Sequence, residues 1–156
     1  MSKLIEQLKF EEGLSLTAYR CPAGKLTIGY GHNLEARPYL EGNRIPNTIT
    51  EDVADVLLEQ DIDDTTDLLA KAWHGFLLLQ DARRDAVINM AFQMGVAGFM
   101  GFKKLREALI RCEWGKAYQE AKHSTWARQT PERAERVALQ FLTNEHYDPG
   151  TIAEHL

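Results

Sequence analysis

The stretch that decides the fold runs from Glu12 to His32 and reads EGLSLTAYRCPAGKLTIGYGH. Polar and apolar residues alternate over residues 15–21 and again over residues 25–31, and Pro22-Ala23-Gly24 separates the two runs. Alternation that is interrupted by proline and glycine is typical of two antiparallel strands joined by a turn. The stretch therefore predicts a β-hairpin.

Helical periodicity begins before this hairpin and returns after it. An apolar stripe from Leu4 to Leu8 predicts a short helix over residues 3–12, which Gly13 ends. Residues 33–49 contain two prolines, three asparagines and a glycine, and this composition predicts a loop. The hairpin is thus preceded by a helix and followed by a long connection.

A long helix is predicted to begin after Thr50, which suits an N-cap, and to run to about Ala72. Beyond it, apolar residues recur at intervals of three and four, so the rest of the chain is predicted to be helical. Cys112 occupies one such stripe position and is interpreted as a small core residue. Thr130, followed by Pro131, marks the start of the last of these helices. The stripes lie over residues 87–94, 105–112, 114–121 and 134–141.

These patterns predict the α+β class and a single domain over residues 1–156. A small β-hairpin lobe covers about residues 13–60, and a larger helical lobe covers about residues 73–156 together with residues 1–12. A long connecting helix joins the two lobes. Length and composition agree with one globular domain, because the chain has 156 residues, of which 44% are hydrophobic and 26% charged.

Charge and apolar patterning exclude several classes of protein. The net charge of −5 argues against a dedicated nucleic-acid binder. Cys21 and Cys112 are too few for a disulfide framework, so both are expected to be reduced thiols. The longest dense apolar patch, Phe76–Leu79, is far shorter than a membrane span, and residues 1–13 do not form a signal peptide. We expect a soluble protein without an export signal of its own.

Glu12 is the first candidate for chemistry. It lies on the apolar face of the first predicted helix, at the C-terminal end where the helix dipole is negative. Partial burial and this dipole both disfavour the charged carboxylate. A carboxyl group that stays protonated is what a general acid needs. The alternative is a helix-end glutamate that turns to water, and position alone favours this alternative.

The spacing of Glu12, Cys21 and Thr27, followed by Gly29-Tyr30-Gly31-His32, closely resembles bacteriophage lysozymes (endolysins) of the T-even type. Two later motifs, INMAFQMG at residues 88–95 and WARQTPERAERV at residues 126–137, resemble the same family. The resemblance implies a lysozyme-like fold. It also implies a muramidase, a glycoside hydrolase that cleaves the β-1,4 bond between N-acetylmuramic acid and N-acetylglucosamine in peptidoglycan and lyses the host.

The same resemblance implies catalytic roles for three residues. Glu12 would be the general acid, and Thr27 would hold a water molecule with its hydroxyl. Cys21 stands where the T-even enzyme has Asp, although other family members carry Cys. A thiol is a poor general base at neutral pH, whereas a thiolate is a strong nucleophile. Whether Cys21 attacks the sugar or only orients water stays open.

Supporting and substrate-binding roles follow from the resemblance as well. His32 would pair with Asp61 on the connecting helix, and Arg133 would pair with Glu12. Gln93 would contact Trp126 as part of the architecture. Phe92 would contact a sugar ring, although it is nearly as well explained as a core aromatic. The chain departs from the T-even pattern at Asn33, Phe102 and Glu120 and in a shorter loop over residues 33–49, so the resemblance implies no binding role for these three residues. Asn33 is a candidate for substrate binding only because it adjoins the hairpin.

Two other functions remain possible at this stage: a catalytically impaired wall-binding protein on the same fold, and a thiol hydrolase that uses Cys21, His32 and Asp61. No cofactor and no metal site are expected. The expected partner is the peptidoglycan glycan strand, with no nucleic acid and no membrane insertion. We expect a monomer that stays in the host cytoplasm until a holin releases it to the periplasm.

Overall fold

The computed structural model describes residues 2–154, and Met1, His155 and Leu156, the ends of the predicted domain, lie outside the described residues. Contacts divide the chain into two compact units, Met1–Asp63 and Asp64–Leu156. In this division residues 2–12 belong to the same unit as the hairpin, whereas the prediction assigned residues 1–12 to the helical lobe. The extents of the two predicted lobes stay a prediction.

The first unit begins with helix α1, Lys3–Glu12. The Ser2 hydroxyl caps it by accepting a hydrogen bond from the Ile5 N–H at 3.2 Å. Gly13 ends the helix with φ 69°, and its N–H donates to the Lys9 carbonyl at 3.0 Å. Both ends agree with the sequence prediction.

The predicted hairpin is present as strands β1, Ser15–Arg20, and β2, Leu26–Gly29, and a third short strand, β3, His32–Asn33, extends the sheet. The three strands are antiparallel in the order β1-β2-β3. Thr27 on β2 lies opposite both Tyr19 and Asn33. The sheet therefore places Thr27 on its middle strand.

The connection after the sheet is more ordered than the predicted loop. It contains a second small hairpin, β4, Tyr39–Leu40, and β5, Asn43–Arg44. Glu41 and Gly42 both have positive φ, 50° and 83°, which is the conformation of the two-residue turns that suit hairpins. Strands of two residues carry no alternation, so the sequence pattern could not indicate them.

The long helix α2 covers Glu51–Ala72, as predicted. The Val53 N–H donates to the Thr50 hydroxyl at 3.3 Å, which makes Thr50 the N-cap. In the contact division, residues 51–63 of α2 belong to the first unit and residues 64–72 to the second.

Within residues 64–154 of the second unit, the regular elements are all helices, and together with the sheets of the first unit they confirm the predicted α+β class. Helix α8, Pro131–Thr143, packs against α3, Asp81–Met94, against α6, Trp114–Lys122, and against α7, Thr125–Gln129. The core includes fully buried Phe76, Met90, Phe99, Val137 and Phe141. The regular elements of the second unit after α2 are a 3-10 turn, His74–Leu78, and helices α3, Asp81–Met94, α4, Val96–Met100, α5, Lys103–Ile110, α6, Trp114–Lys122, α7, Thr125–Gln129, α8, Pro131–Thr143, and α9, Pro149–Glu154.

The interpretation of Cys112 as a core residue is wrong. Helix α5 ends at Ile110, and Cys112 is exposed with φ 58°. The Cys112 N–H donates to the Leu109 carbonyl at 3.2 Å, and the Glu113 N–H donates to the Ala108 carbonyl at 2.9 Å. These two bonds form a Schellman motif, in which the left-handed residue ends the helix and points away from the core. The apolar periodicity of α5 therefore ends before Cys112.

Candidate active site

The carboxyl group of Glu12 lies against the backbone of Gly31. Glu12 is the last residue of α1 and is half-buried, while Gly31 lies in the turn between β2 and β3 with φ 71°. A Cβ atom on Gly31 would lie 2.8 Å from Glu12 Oε2 and 3.2 Å from its carboxyl carbon. A glycine at position 31 therefore leaves the space that this carboxyl group occupies.

Cys21 and Thr27 lie together at the closed end of the first hairpin. The Cys21 N–H donates to the Lys25 carbonyl at 2.9 Å, and the Cys21 carbonyl accepts from the Gly24 N–H at 2.8 Å. The buried Thr27 hydroxyl donates to the same Lys25 carbonyl at 2.9 Å. The tight turn thus holds a half-buried thiol beside a fixed hydroxyl.

Hydrogen bonding to Cys21 favours its thiolate. The Lys25 backbone makes the largest contribution and lowers the pKa of the thiol below its ordinary value, while burial opposes this effect. The Ala23 backbone and the Thr27 hydroxyl also lower the pKa. These donors stabilise a negative charge on sulfur, which makes the thiolate more accessible near neutral pH than in a free cysteine.

His32 and Asp61 form the predicted pair. The His32 ring is 2% exposed, and its Nδ1 lies 2.7 Å from Asp61 Oδ2. The other ring nitrogen, Nε2, lies 2.8 Å from the Arg37 carbonyl oxygen. Both partners are acceptors, so both ring nitrogens can donate only when the imidazole is protonated.

The charge balance around His32 favours this protonated form. Burial lowers the pKa of His32, but the hydrogen bond and charge of Asp61, together with the Arg37 carbonyl, outweigh it and raise the pKa above its ordinary value of 6.5. The Arg37 guanidinium donates to Asp61 Oδ1 at 2.8 Å and so shares the carboxylate. No role was predicted for Arg37, and its only mark in the sequence is a basic side chain five positions after His32.

Asn33 has a defined structural contact. Its side-chain oxygen accepts hydrogen bonds from the Glu35 N–H at 2.9 Å and from the Ala36 N–H at 3.1 Å. Such a side chain closes the turn that follows β3. The role of Asn33 in substrate binding stays a prediction.

In the second unit, Gln93 and Trp126 also meet as predicted. The indole N–H of Trp126 donates to Gln93 Oε1 at 2.8 Å, and Trp126 is 4% exposed. Phe92, the residue before Gln93 on α3, is half-buried. The bond fixes α7 against the end of α3, which agrees with an architectural role for this pair.

Arg133 is buried beside Asn89, a residue to which sequence reasoning gave no role. Its Nε and Nη2 both donate to Asn89 Oδ1, at 3.0 and 2.9 Å. Asn89 is fully buried and also donates to the Tyr147 hydroxyl at 3.4 Å. The signal for Asn89 was a polar residue within an apolar helical stripe. The predicted pairing of Arg133 with Glu12 stays a prediction.

The second unit carries two neighbouring pockets that share Phe102 and Thr125. The smaller, of ≈ 300 Å³, is lined in part by Gln93 and Trp126. The larger, of ≈ 430 Å³, has the departing residue Glu120 in its wall. Its other charged or ionisable lining residues are Lys103, Lys104, His123 and Arg128. Phe102 and Glu120, two of the positions that depart from the T-even pattern, therefore line pockets.

Across residues 2–154, no group of three or more His, Cys, Asp or Glu side chains has the arrangement of a metal site. None of the helices described here is both long and apolar enough to cross a membrane.

Comparison with known proteins decides the family. Residues 9–141 match the family described as phage lysozyme. The chain belongs to the phage lysozyme family. The matched range contains Glu12, Cys21 and Thr27 as well as both later motifs, and the α+β fold is accordingly lysozyme-like. The resemblance drawn from the sequence is confirmed, and the protein is a lysozyme-type protein of this family.

Several named relatives support this membership. The chain is 30% identical to probable T4-type lysozyme 2 of Dictyostelium discoideum, with 99% of each chain covered. It is 33% identical to the pre-baseplate central spike protein Gp5 of Enterobacteria phage T4, where 90% of this chain covers only 28% of that protein. It is also 31% identical to the endolysin of Salmonella phage P22, over 69% of this chain and 70% of that one.

Proposed function

We propose that the protein is a glycoside hydrolase, a muramidase that hydrolyses the β-1,4 bond between N-acetylmuramic acid and N-acetylglucosamine in bacterial peptidoglycan and so lyses the host cell. The observation that carries this proposal is the close approach of the Glu12 carboxyl group to Gly31 in the first unit. Membership of the phage lysozyme family and the relatives named endolysin support it.

Glu12 is the general acid in this proposal. Glycoside hydrolysis needs a protonated group that delivers a proton to the leaving oxygen as the glycosidic bond breaks. Glu12 is the last residue of α1, and its carboxyl group lies beside Gly31 in the turn between β2 and β3. A group that donates a proton must lie within reach of the leaving oxygen, so the position of this carboxyl group matters for the proposed role.

Cys21 and Thr27 act at the sugar carbon, whose bond to the leaving oxygen breaks as Glu12 protonates that oxygen. In one route, Thr27 orients a water molecule that adds to the sugar carbon as the leaving group departs, and the surplus proton of this water passes to the solvent. In the other, the Cys21 thiolate adds to that carbon as the leaving group departs; the Glu12 carboxylate then takes a proton from a water molecule that displaces the sulfur as a thiolate. The lowered pKa of Cys21 supports the second route, and the fixed Thr27 hydroxyl supports the first.

The thiol-hydrolase alternative has little support. A cysteine hydrolase needs a base that takes the proton from sulfur. Both ring nitrogens of His32 face other partners, Asp61 and the Arg37 carbonyl, and the ring is buried. His32 is therefore better interpreted as a clamp that ties β3 to α2 than as a base for Cys21.

The impaired wall-binding protein stays the second candidate, because a thiol replaces the carboxylate of the T-even enzyme.

Expected partners and location follow the leading proposal. The protein acts as a monomer on glycan strands without a cofactor, and it stays in the host cytoplasm until a holin releases it to the periplasm.

Loss of turbidity of outer-membrane-permeabilised Gram-negative cells tests the proposal. We expect Glu12→Gln to abolish lysis and Glu11→Gln, the same change one residue earlier, to retain it. Mass analysis of the released fragments should show new reducing ends. Normal lysis by Glu12→Gln would overturn the assignment. Wall binding without new reducing ends in the wild type would favour the second candidate.

A further inference from the structure

The larger pocket of the second unit is lined by several charged side chains. Its volume of ≈ 430 Å³ lies in the range of small-ligand sites. Residues around the start of α5, the end of α6 and the start of α7 form its wall. We define this pocket as the basic pocket, and its charged or ionisable lining residues are Lys103, Lys104, Glu120, His123 and Arg128.

Three cations of the basic pocket are available to a ligand. Lys103, Lys104 and Arg128 are exposed, and within residues 2–154 none of their charged groups has an ion-pair or hydrogen-bond partner. Lys122, which does not line the pocket, instead lies 3.9 Å from a carboxylate oxygen of Glu135. Cations of one concave wall add their fields, so the basic pocket attracts anionic groups.

One carboxylate belongs to the same wall. Glu120 is half-buried, and its carboxylate likewise has no cationic partner within the described part of the chain. An unpaired carboxylate repels a polyanion such as a nucleic acid or a polyphosphate, whereas it attracts an ammonium group. The wall therefore complements a ligand that carries several anionic groups together with one ammonium group.

Buried neighbours hold the wall of the basic pocket in place. Leu105, Ala121 and Ala127 are each buried, and each is next in sequence to a charged lining residue. The Ser124 hydroxyl donates to the Ala121 carbonyl at 2.7 Å and accepts from the Ala127 N–H at 3.2 Å, which joins α6 to α7. The backbone that presents the charges is thus ordered before a ligand binds, which lowers the entropic cost of binding.

The smaller pocket continues the basic pocket with uncharged residues. The two pockets share Phe102 and Thr125, and the smaller one is otherwise lined by Gln93, Met94, Gly98, Trp126 and Gln129. Gln93 gives its Oε1 to Trp126, and its side-chain NH₂ has no partner within residues 2–154. Side-chain amides of this kind can form hydrogen bonds with the amides of a peptide. The two pockets together therefore suit a ligand with a neutral peptide part and a charged part.

We propose that the basic pocket binds the short acidic peptide that peptidoglycan carries on its glycan strand, and that it makes the protein prefer walls whose peptide carboxylates are free. Such a peptide has carboxylates, one side-chain ammonium and several amides, which are the groups that the two pockets complement. Lys103, Lys104 and Arg128 receive the carboxylates, and Glu120 receives the ammonium. The choice of ligand rests on the proposed function, but these residues select the substrate and take no part in breaking the glycosidic bond.

Binding of free peptides tests the proposal without any hydrolysis. The acidic probe is N-acetyl-L-Ala-γ-D-Glu-L-Lys-D-Ala, and the matched probe is the same peptide with both carboxylates amidated. We expect the acidic probe to shift the backbone amide NMR signals of residues 101–105 and 124–128. The amidated probe should bind about fivefold more weakly, because exposed ion pairs contribute little each.

A double variant tests the lysines of the wall. Lys103→Gln combined with Lys104→Gln should weaken binding of the acidic probe by about fivefold and leave binding of the amidated probe unchanged. The matched control combines Lys71→Gln with Lys116→Gln, because these exposed lysines of the second unit line neither pocket. The control should bind both probes like the wild type, and thermal melts check that each variant is folded.

A single variant tests the carboxylate of the wall. Glu120→Gln should weaken binding of the acidic probe, but it should have no effect on a probe whose lysine is acetylated, since that probe has no ammonium group. Equal weakening of both probes would contradict the role of Glu120.

Hydrolysis of intact walls tests the preference for free carboxylates. On untreated walls, the Lys103 and Lys104 double variant should raise KM by about fivefold without changing kcat. On walls whose carboxylates are chemically amidated, the double variant and the wild type should have the same KM. A wild type that releases no reducing ends from either wall would contradict the proposed function, while the peptide titrations would still decide the role of the basic pocket.

Three results would overturn the proposal. One is the absence of NMR shifts at the pocket residues with the acidic probe, and another is equal affinity for the acidic and amidated probes. The third is displacement of the acidic probe by an equal concentration of inorganic phosphate, since this would make the pocket a simple anion site without preference for a peptide.

Discussion

The carboxyl group of Glu12 fills the space in which a side chain on Gly31 would begin, since a Cβ there would lie 2.8 Å from Oε2. Glycine at this position therefore leaves the room that the proposed acid occupies, and a larger residue there would displace the carboxyl group.

Gly31→Ala should reduce lysis by about a hundredfold, because a displacement of a catalytic group by about 1 Å costs that much. Alanine at φ 71° should also lower the free energy of unfolding by about 1–2 kcal/mol. Gly42→Ala is the matched control, because Gly42, in the turn between β4 and β5, has φ 83° and a Cβ there would meet no atom within 4 Å. Turbidity assays and urea unfolding should show similar destabilisation in both variants and loss of lysis only in Gly31→Ala. Equal lysis by the two would contradict the role of Gly31.

The His32–Asp61 pair should make stability depend on pH. The folded-state pKa of His32 is raised, so the pair contributes fully below the ordinary value of 6.5 and its contribution is lost as the pH rises through the folded-state pKa. Asp61→Asn should lower the pKa of His32, since burial then dominates, and should therefore destabilise the fold most below pH 6.5, where the wild-type pair contributes fully.

NMR titration of His32 and urea unfolding between pH 5 and 9 measure both effects. Asp63→Asn, which changes an exposed carboxylate on the same helix, is the control and should leave the titration unchanged. A wild-type His32 that titrates at or below 6.5 would refute the prediction.

The Cys21 thiol should react with iodoacetamide at lower pH than a free cysteine does. Its pKa is lowered by the Lys25 backbone first and by the Thr27 hydroxyl to a smaller extent. In a Cys112→Ser background, Thr27→Val should move the midpoint of the alkylation rate to higher pH while keeping the shape of the buried side chain. The rate is followed by mass spectrometry as a function of pH. An unchanged midpoint would show that Thr27 does not act on the thiol.

Asn89 should be important for stability through Arg133. Asn89→Ala removes the acceptor of two hydrogen bonds from a guanidinium that is only 7% exposed. A hydrogen bond to a charged group contributes about 1.5–3 kcal/mol, and urea unfolding should show a loss of this size. Gln119→Ala, on the exposed side of α6, is the control. A loss below that of the control would mean that Arg133 finds another acceptor.

The sequence predicted those parts of the fold that rest on local chemistry. Thr50 begins α2 because a hydroxyl at that position meets the Val53 N–H, and Gly13 ends α1 because it adopts a positive φ. The prediction for Cys112 was wrong because the left-handed residue that ends α5 is not a glycine, so no residue type in the sequence marks the end of this helix. Local patterns fix a helix end only where the residue type reveals the backbone conformation.

The contacts in the candidate site likewise include some that were predicted and some that were not. The family resemblance implied the pairs His32–Asp61 and Gln93–Trp126, both of which are present. No motif of the resemblance assigned a partner to Arg37 or Asn89, whose contacts with Asp61 and Arg133 are formed only when the chain folds. Long-range polar contacts leave no periodic pattern in a single sequence, so they are predicted only where a family motif names both partners.

The Schellman motif at the end of α5 leaves the sulfur of Cys112 on the surface of the second unit, with no part in the hairpin chemistry. In a Cys21→Ala background, this thiol offers a single attachment point for a maleimide fluorophore or a spin label. Without such a label, storage in air would link two molecules through it. A preparation of this lysozyme-family protein therefore needs a reductant, or a serine at position 112, before its size in solution is measured.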